Sequence, residues 1–304
     1  MNFLTSLLFY LANILLLPPL LIGLIRTGKA RLQNRRGPSP LQVYYDLYKL
    51  MRKGETISQT AGWNFLYSPY IILAVSISVA LMIPWTGTSS PIPGDLFLVI
   101  YLLALGKFAS GLAALDTGSS FGAIAASREA AVSVQSEPAM ILALTALAVQ
   151  AHSSSLSLML TPGHFNPTLL LMIPLALIAL GLSILADLSR MPVDDPATHL
   201  ELTMIHEALI LEYSGRRLAL IEYASALRTT FLFGLMAQVI MLLLHPFPPL
   251  LAYFLSLGLI GVCALSVVVM ETTLVKLRWR RIPNLLSFAI TSGALACLIV
   301  AMRG

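Results

Sequence analysis

The segment from residue 187 to residue 228 reads DLSRMPVDDPATHLELTMIHEALILEYSGRRLALIEYASALR. Very apolar segments flank it on both sides, near 166–186 and 228–245. It holds seven of the fourteen acidic residues of the chain: Asp187, Asp194, Asp195, Glu201, Glu207, Glu212 and Glu222. Such a concentration of carboxylates between segments long enough to cross a bilayer predicts a functional loop of a membrane protein.

The composition of the whole chain supports a membrane protein. Of its 304 residues, 57% are hydrophobic and only 11% are charged, whereas soluble domains are about 25% charged. The mean hydropathy is +0.84, which leaves little room for a soluble domain. The net charge of +5 does not indicate a nucleic-acid partner, because the basic residues fall in short loops between apolar spans and so report topology instead.

Neither cysteine carries a metal-binding pattern. Cys263 and Cys297 lie in apolar runs without CxxC spacing, so by themselves they cannot hold an iron–sulfur cluster or a structural zinc ion. We expect small core residues and no redox centre in this chain. The first apolar run begins at Phe3 without a basic stretch before it and is about 23 residues long, which predicts a membrane span rather than a cleavable signal peptide.

The hydropathy pattern predicts eight transmembrane helices in one integral-membrane domain over residues 1–304. They lie near 3–25, 65–86, 95–116, 130–152, 166–186, 228–245, 249–271 and 283–302. Seventeen of the nineteen basic residues fall in the odd-numbered loops, and the even-numbered loops have none. Because positive loops stay in the cytoplasm, we predict both termini outside and a cytoplasmic coupling loop at 187–228. The fold class is therefore an all-α polytopic membrane protein.

The first cytoplasmic loop contains a predicted amphipathic helix. After Arg35 and Arg36, the segment LQVYYDLYKLMRKG at 41–54 repeats apolar and aromatic residues at helical spacing. Tyrosines of this kind suit the headgroup layer. A lipid-surface anchor and a helix that docks a partner or lines a ligand site are both open readings of this segment.

Several ionisable residues lie within or at the ends of the predicted spans. They are Lys107 in the third span, Asp116 at its end, Glu137 early in the fourth, Asp187 at the end of the fifth and Glu271 at the end of the seventh. Each such residue costs at least a few kcal/mol in a bilayer and is a functional hypothesis by default. We therefore predict a chain of ion-relay or coupling residues.

Helix geometry limits how these charges can pair. Arg128 and Glu137 are nine residues apart, which corresponds to about 13.5 Å of helical rise, so they cannot pair directly on one helix. Glu137 then needs a partner from another span, such as Lys107, or a water-filled cavity. A proton or ion relay and a structural buried ion pair both remain open for Glu137.

The acidic segment itself has a helical pattern from Ala197 to about Tyr213, after the chain breaks at Pro192 and Pro196. Glu201 and Glu212 share one face of that helix. They either line a hydrated vestibule or belong to a solvated loop helix that pairs with neighbouring arginines. The pair His206-Glu207 has no second histidine at metalloprotease spacing, so no metal site is predicted.

Five segments carry a family resemblance. They are RLQNRRGPSPLQVYYDLYKL at 31–50, GKFASGLAALDTGSSFGAIAASREAAVSVQSEP at 106–138, DLSRMPVDDP at 187–196, EYSGRRLALIEYA at 212–224 and ETTLVKLRWRRIP at 271–283. On these segments the chain resembles the complex I subunit 1 family. The second segment is most similar to the energy-converting hydrogenase branch, which includes hydrogenase-4 component C and formate hydrogenlyase subunit 4. The family architecture is also eight helices with outward termini.

The resemblance implies a subunit that joins a cytoplasmic redox arm to antiporter-like, ion-pumping subunits in a prokaryotic cytoplasmic membrane. It implies no catalytic residue and no cofactor in this chain. Iron–sulfur clusters and a NiFe centre are expected in the hydrogenase large and small subunits and a ferredoxin-like subunit. From the residues and the resemblance together, the candidate relay and coupling residues are Glu137, Lys107, Asp116, Arg128, Glu129, Asp187, Asp194, Asp195, Glu201, Glu207, Glu212 and Glu271. The candidate docking or structural residues are Arg35, Arg36, Arg190 and Arg216.

Departures from the family pattern favour the hydrogenase branch. Quinone-reactive members typically carry acidic residues where this chain has Ala197 and His199, and they have a shorter stretch between the positions of Glu201 and Glu212. Two alternatives stay open. One is a quinone-site-forming subunit of a complex I-like NADH or ferredoxin:quinone oxidoreductase. The other is a stand-alone ion transporter, against which the lack of an internal repeat counts.

Overall fold

The structure is a computed structural model that describes residues 3–85, 90–161, 167–194, 205–244 and 247–302. These residues form helices and connecting segments, with no β-strand among them. The helices are α1 Phe3–Leu32, α2 Gln42–Arg52, α3 Trp63–Met82, α4 Leu96–Asp116, α5 Ser120–Gln150, α6 Leu156–Met159, α7 Pro167–Asp187, α8 His206–Ile210, α9 Gly215–Met241, α10 Pro249–Thr273 and α11 Ile282–Ala301. A 3-10 turn at Trp279–Arg281 precedes α11.

Eight of the described helices are long and apolar enough to cross a membrane: α1, α3, α4, α5, α7, α9, α10 and α11. This confirms the predicted all-α polytopic membrane fold and its eight spans. Two features stay predictions: the position of α2 in the cytoplasmic interface and the outward orientation of both termini.

Two spans begin well before their predicted first residues. The structure starts α5 at Ser120 rather than near 130, and α9 at Gly215 rather than near 228. Both extra stretches carry charged residues, which a hydropathy window excludes from a span. In α9 these charged residues contact other helices and loops of the same chain instead of lipid, because α9 is the most enclosed of the eight spans. Buried residues make up 78% of its most apolar stretch. The predicted coupling loop is correspondingly shorter than 187–228.

The helix expected from Ala197 to about Tyr213 is described only in part. Residues 195–204 lie outside the described chain, and the remainder forms the short helix α8. Tyr213 follows it and is buried. Its ring stacks on Phe65 at 4.1 Å between centroids, and its hydroxyl donates to the Phe65 carbonyl oxygen at 3.0 Å. This contact fixes the chain between α8 and α9 against α3.

The packing places α9 at the centre of the bundle. It contacts α1, α2, α3, α7 and α10, while α11 packs on α5 and α7, and α4 packs between α3 and α5. Phe231, Phe233 and Trp85 are among the largest fully buried side chains. Charged side chains on α9 can therefore reach groups on several other helices.

The link between α2 and α3 is tied to the start of α9. Ser214 Oγ accepts from the Thr56 amide at 2.9 Å and donates to the Thr56 carbonyl oxygen at 3.0 Å, and Arg217 pairs with Glu55. Gly215 has φ +54°, and a Cβ added there would lie 2.7 Å from the Gly54 carbonyl oxygen. Only glycine meets both conditions without strain.

We expect Gly215→Ala to lower the free energy of unfolding by about 2 kcal/mol, because the left-handed backbone and the contact with Gly54 both oppose a Cβ. Gly258→Ala is the matched control. Gly258 lies in the helical, exposed part of α10 with nothing within 4 Å of an added Cβ, so this change should raise stability by roughly 0.5–1 kcal/mol. Denaturant unfolding of the purified chain in detergent micelles measures both. A Gly215→Ala variant as stable as the wild type would contradict the assignment.

Candidate functional site

A buried carboxylate with two cationic partners forms the core of the site. Asp187 ends α7, and its side chain is 2% exposed. Its Oδ1 atom lies 2.5 Å from Lys107 Nζ on α4 and accepts from Arg228 Nη2 on α9 at 2.8 Å. Charges so far from water are tolerated only when they are paired and hydrogen-bonded. Three helices thus converge on one carboxylate.

Lys107 extends this cluster to a second carboxylate. Its Nζ atom also lies 3.2 Å from Glu137 Oε1 on α5. The Lys107 side chain is 8% exposed, whereas that of Glu137 is 36% exposed. Lys107 therefore bridges a buried carboxylate and one that is partly exposed, within the span of α5. We refer to Asp187, Lys107, Arg228 and Glu137 as the inner cluster.

A second group of charges lies between α1, α10 and the segment after α7. Glu271 has a side chain that is 1% exposed. Its two oxygens contact Arg190 Nη1 at 2.9 Å and Lys29 Nζ at 3.2 Å. Asp194 pairs with Lys276 and accepts from the Ile205 amide at 3.0 Å. We refer to Glu271, Lys29, Arg190, Asp194 and Lys276 as the outer cluster.

Three cavities lie beside the two clusters. A cavity of about 540 Å³ is lined by charged groups of the outer cluster together with His206, Glu207 and Glu222. A second cavity of about 50 Å³ is lined by His206, Glu129, Asp187, Lys107 and Arg228. It has room for a few water molecules, which need polar partners of this kind. A third, of about 10 Å³, is lined by Lys107, Asp187 and Glu137. Because neighbouring cavities share lining residues, titratable groups follow one another from the outer cluster to Glu137.

His206 lines both the 540 Å³ cavity and the 50 Å³ cavity. Burial lowers the pKa of His206 below its usual value, and the neighbouring Glu207 carboxylate offsets this only in part. The imidazole is therefore neutral near pH 7, with one nitrogen that donates and one that accepts a hydrogen bond. Such a ring can pass a proton between two water-filled spaces.

A family profile described as NADH dehydrogenase matches residues 5–302. The chain belongs to this complex I subunit 1 family. Among curated relatives, formate hydrogenlyase subunit 4 of Escherichia coli is 35% identical over 69% of this chain and 68% of its own length. Hydrogenase-4 component C of the same organism is 35% identical over 77% of this chain and 73% of its own. An NADH-quinone oxidoreductase subunit of Syntrophobacter fumaroxidans is 28% identical over 88% of this chain and 85% of its own.

The fold also matches a solved structure. A chain of the membrane-bound sulfane sulfur reductase, an archaeal respiratory membrane complex, superposes with a TM-score of 0.84. The match covers 98% of this chain and 99% of the other, at 20% sequence identity. This likeness shows a shared fold alone.

In this complex I subunit 1 family member, six of the sixteen site residues that the sequence singled out lie in the two clusters. Asp187, Lys107 and Glu137 meet in the inner cluster, and Arg190, Asp194 and Glu271 meet in the outer one. Glu129 lines the 50 Å³ cavity, and Glu207 lines the large one. Their roles in relay or coupling stay predictions.

Other candidates lie apart from these clusters. Asp116 accepts from the Phe65 amide at 3.0 Å and so caps the start of α3. Glu212 is exposed, as is Arg216, which donates to the Met51 carbonyl oxygen at 3.3 Å. Arg128 is half-buried on α5, nine residues before Glu137. Exposed Arg35 and Arg36 line the large cavity, while Asp195 and Glu201 lie outside the described residues.

Three cations of the clusters were not among the predicted site residues: Lys29, Arg228 and Lys276. The sequence placed all three in cytoplasmic loops, where a basic residue is explained by topology alone. Arg228 lies thirteen residues after the start of α9. A span predicted to begin near Gly215 rather than near 228 would have identified Arg228 as a charge within that span. Within the described part of the chain, no group of His, Cys, Asp and Glu side chains has the arrangement of a metal site.

Proposed function

We propose that this chain is the membrane subunit that links the cytoplasmic redox arm of a hydrogenase-like or formate hydrogenlyase-type complex to the movement of protons or sodium ions. The observation that carries the proposal is the bridge of Lys107 between Asp187 and Glu137. The identity of 35% to two hydrogenase-complex subunits supports this branch of the family. Partner subunits would hold the iron–sulfur clusters and the NiFe centre.

A proton would enter at the 540 Å³ cavity and pass His206 into the 50 Å³ cavity. There Glu129 lies beside Asp187 and Lys107. Oδ2 of Asp187 is buried and has no hydrogen-bond partner among the described residues, so it is the atom that water in this cavity would contact. Lys107 then links the charge state of Asp187 to that of Glu137, because both carboxylates share its ammonium group.

Glu137 would pass this charge change to a neighbouring membrane subunit. A carboxylate left against hydrocarbon costs several kcal/mol, and the Glu137 side chain, within the span of α5, is 36% exposed. A polar group from another subunit must therefore cover it in the assembled complex. We assign this place to an antiporter-like subunit, which would carry the ions across the membrane.

The outer cluster would receive the signal from the redox arm. Arg190 follows α7 and is held by Glu271, and Asp194 is held by Lys276. The Leu277 amide also donates to the Pro192 carbonyl oxygen at 3.0 Å. Motion of residues 188–194 would therefore alter the pairing of Glu271 as well as the position of Asp187. Arg35 and Arg36, exposed at the large cavity, would contact the docked arm.

The size of the large cavity favours a second candidate, a quinone-site-forming subunit. The cavity combines apolar residues such as Ile22 and Ile25 with charged and hydroxyl side chains, and a volume of about 540 Å³ falls within the range of small-molecule sites. Sensitivity of the purified complex to quinone-site inhibitors would select this candidate over the first.

Purification of the intact complex through an affinity tag on this chain, in mild detergent, tests the proposal. The expected result is a nickel-containing large subunit, a small iron–sulfur subunit and antiporter-like membrane subunits, identified by mass spectrometry and metal analysis. Recovery of nickel-free partners with a quinone-reactive activity would select the second candidate. A lone chain that catalyses ion flux in vesicles would contradict both.

A further inference from the structure

An apolar cleft separates the last two spans. The helices α10 and α11 are consecutive, yet α10 packs on α1 and α9 while α11 packs on α5 and α7. Between them lies a cavity of about 460 Å³. Its lining is formed mainly by aliphatic and aromatic side chains of α7, α9, α10 and α11, including Gly181, Met236, Val267, Met270, Leu285 and Phe288.

The cleft offers little to a polar ligand. Its hydroxyl and thiol groups belong to Ser266 and Cys263, and Ser266 Oγ donates to the Cys263 carbonyl oxygen at 2.7 Å. The hydroxyl proton is therefore already used within α10. A surface of this composition fits hydrocarbon, which needs no directional partners.

One end of the cleft meets a basic connecting segment. Met270 lies one turn before α10 ends at Thr273, and Leu285 lies one turn after α11 begins at Ile282. Residues 274–281 connect these two helix ends and so lie at the end of the cleft that Met270 and Leu285 line. In this segment Val275 is 83% exposed and Trp279 is 45% exposed, as is typical of residues that meet the interfacial layer of a bilayer.

Three arginines of this segment are exposed and unpaired within the described chain. Arg278, Arg280 and Arg281 make no ion pair with any described carboxylate, whereas Lys276 pairs with Asp194. Arg281 precedes Leu285 and Phe288 by four and seven residues, so the three share one face at the start of α11. A guanidinium group therefore lies above the apolar cleft on the same side of the helix.

We propose that the cleft between α10 and α11 binds an anionic phospholipid, with an acyl chain in the cleft and its phosphate at Arg278, Arg280 and Arg281. Guanidinium groups are well suited to phosphate, and basic pockets between transmembrane helices are typical sites for anionic headgroups. The apolar cleft and the uncompensated cations are adjacent, which matches the two ends of one lipid molecule.

Native mass spectrometry of the purified full chain in detergent tests this proposal, with phosphatidylglycerol, phosphatidylcholine and inorganic phosphate as probes. We expect one phosphatidylglycerol to be retained at least tenfold more tightly than phosphatidylcholine. Replacing the three arginines by Gln should weaken its binding by roughly 100-fold, because each basic residue near an anionic surface contributes about fivefold. Gly181→Trp, which fills the cleft, should also remove the bound lipid.

Matched controls are available on the same chain. Replacing Lys49, Arg52 and Lys53 by Gln removes three charges from exposed positions away from the cleft, and Gly258→Trp adds the same bulk at an exposed position of α10. Both should retain phosphatidylglycerol as the wild type does. The arginine variants change only exposed side chains, so they keep the test valid if Gly181→Trp fails to fold.

Several results would overturn the proposal. One is equal retention of phosphatidylglycerol and phosphatidylcholine, and another is an equal loss of bound phosphatidylglycerol from the charge control and the arginine variant. A third is displacement of phosphatidylglycerol by inorganic phosphate, which would mark a free-phosphate site. Cross-linking offers another: a photoreactive group at Phe288 that captures a helix of a neighbouring protein in the intact complex, rather than lipid, would show that protein fills the cleft.

Discussion

Replacing Asp187 with Asn should destabilise the folded chain by about 3–5 kcal/mol and abolish the ion-coupled activity of the complex. The Asp187 side chain is 2% exposed and is the partner of both Lys107 and Arg228. Without its charge, two buried cations remain with too little compensation, and a broken buried ion pair typically costs that much. Denaturant unfolding in micelles and activity in membrane vesicles measure the two effects.

A charge-balanced variant separates stability from function. Asp187→Asn combined with Lys107→Met removes one buried cation together with the buried anion. Arg228 then no longer lies beside a second buried cation that repels it. We expect this double variant to recover most of the lost stability but none of the ion transport, because the bridge to Glu137 is gone. Recovery of transport along with stability would show that the inner cluster is structural.

Replacing Glu271 with Gln should also cost about 3–5 kcal/mol and reduce electron transfer through the complex. Glu271 is the carboxylate partner that Arg190 and Lys29 share, and its side chain is 1% exposed. Its loss would release Arg190 and, with it, the segment 188–194 on which the redox arm is proposed to act. Unfolding in micelles and hydrogen- or formate-dependent turnover of the purified complex measure the outcome.

Glu207→Gln is the matched control for Glu271. Glu207 lines the same cavity but is only half-buried and has no ion pair among the described residues. Its neutralisation should change stability by no more than about 0.5 kcal/mol. If Glu207→Gln and Glu271→Gln lowered the free energy of unfolding by the same amount, the ion pairs of Glu271 would not be what holds residues 188–194 in place.

The sequence predicted the fold well, because a bilayer imposes a simple rule. Each span needs about 20 apolar residues with its backbone hydrogen bonds satisfied internally, so hydropathy alone located all eight. Helix geometry also excluded Arg128 as a partner of Glu137, since nine residues separate them on one helix, and left Lys107 or a water-filled cavity as the alternatives. These inferences needed only local sequence and elementary geometry.

Contacts between distant elements could not be predicted in the same way. Arg228 was assigned to a loop because hydropathy penalises charge, and only the enclosure of α9 by other helices shows why a cation is stable there. Likewise, Asp116 had the same sequence signal as Asp187 at the end of a span, yet it caps α3. Which carboxylate faces a cation and which faces a helix start depends on how the helices are arranged.

The number of ions moved per electron pair by a complex that carries Glu137→Gln, reconstituted in proteoliposomes, tests most directly whether this chain couples redox chemistry to ion movement. The fold should persist, because Lys107 keeps Asp187 as its partner. Asp46→Asn, at a partly exposed carboxylate 3.7 Å from Arg26, serves as the neutral-isostere control. We expect electron transfer within about twofold of the wild type and ion transport close to zero. Ion transport per electron pair equal to that of the wild type would contradict the coupling role.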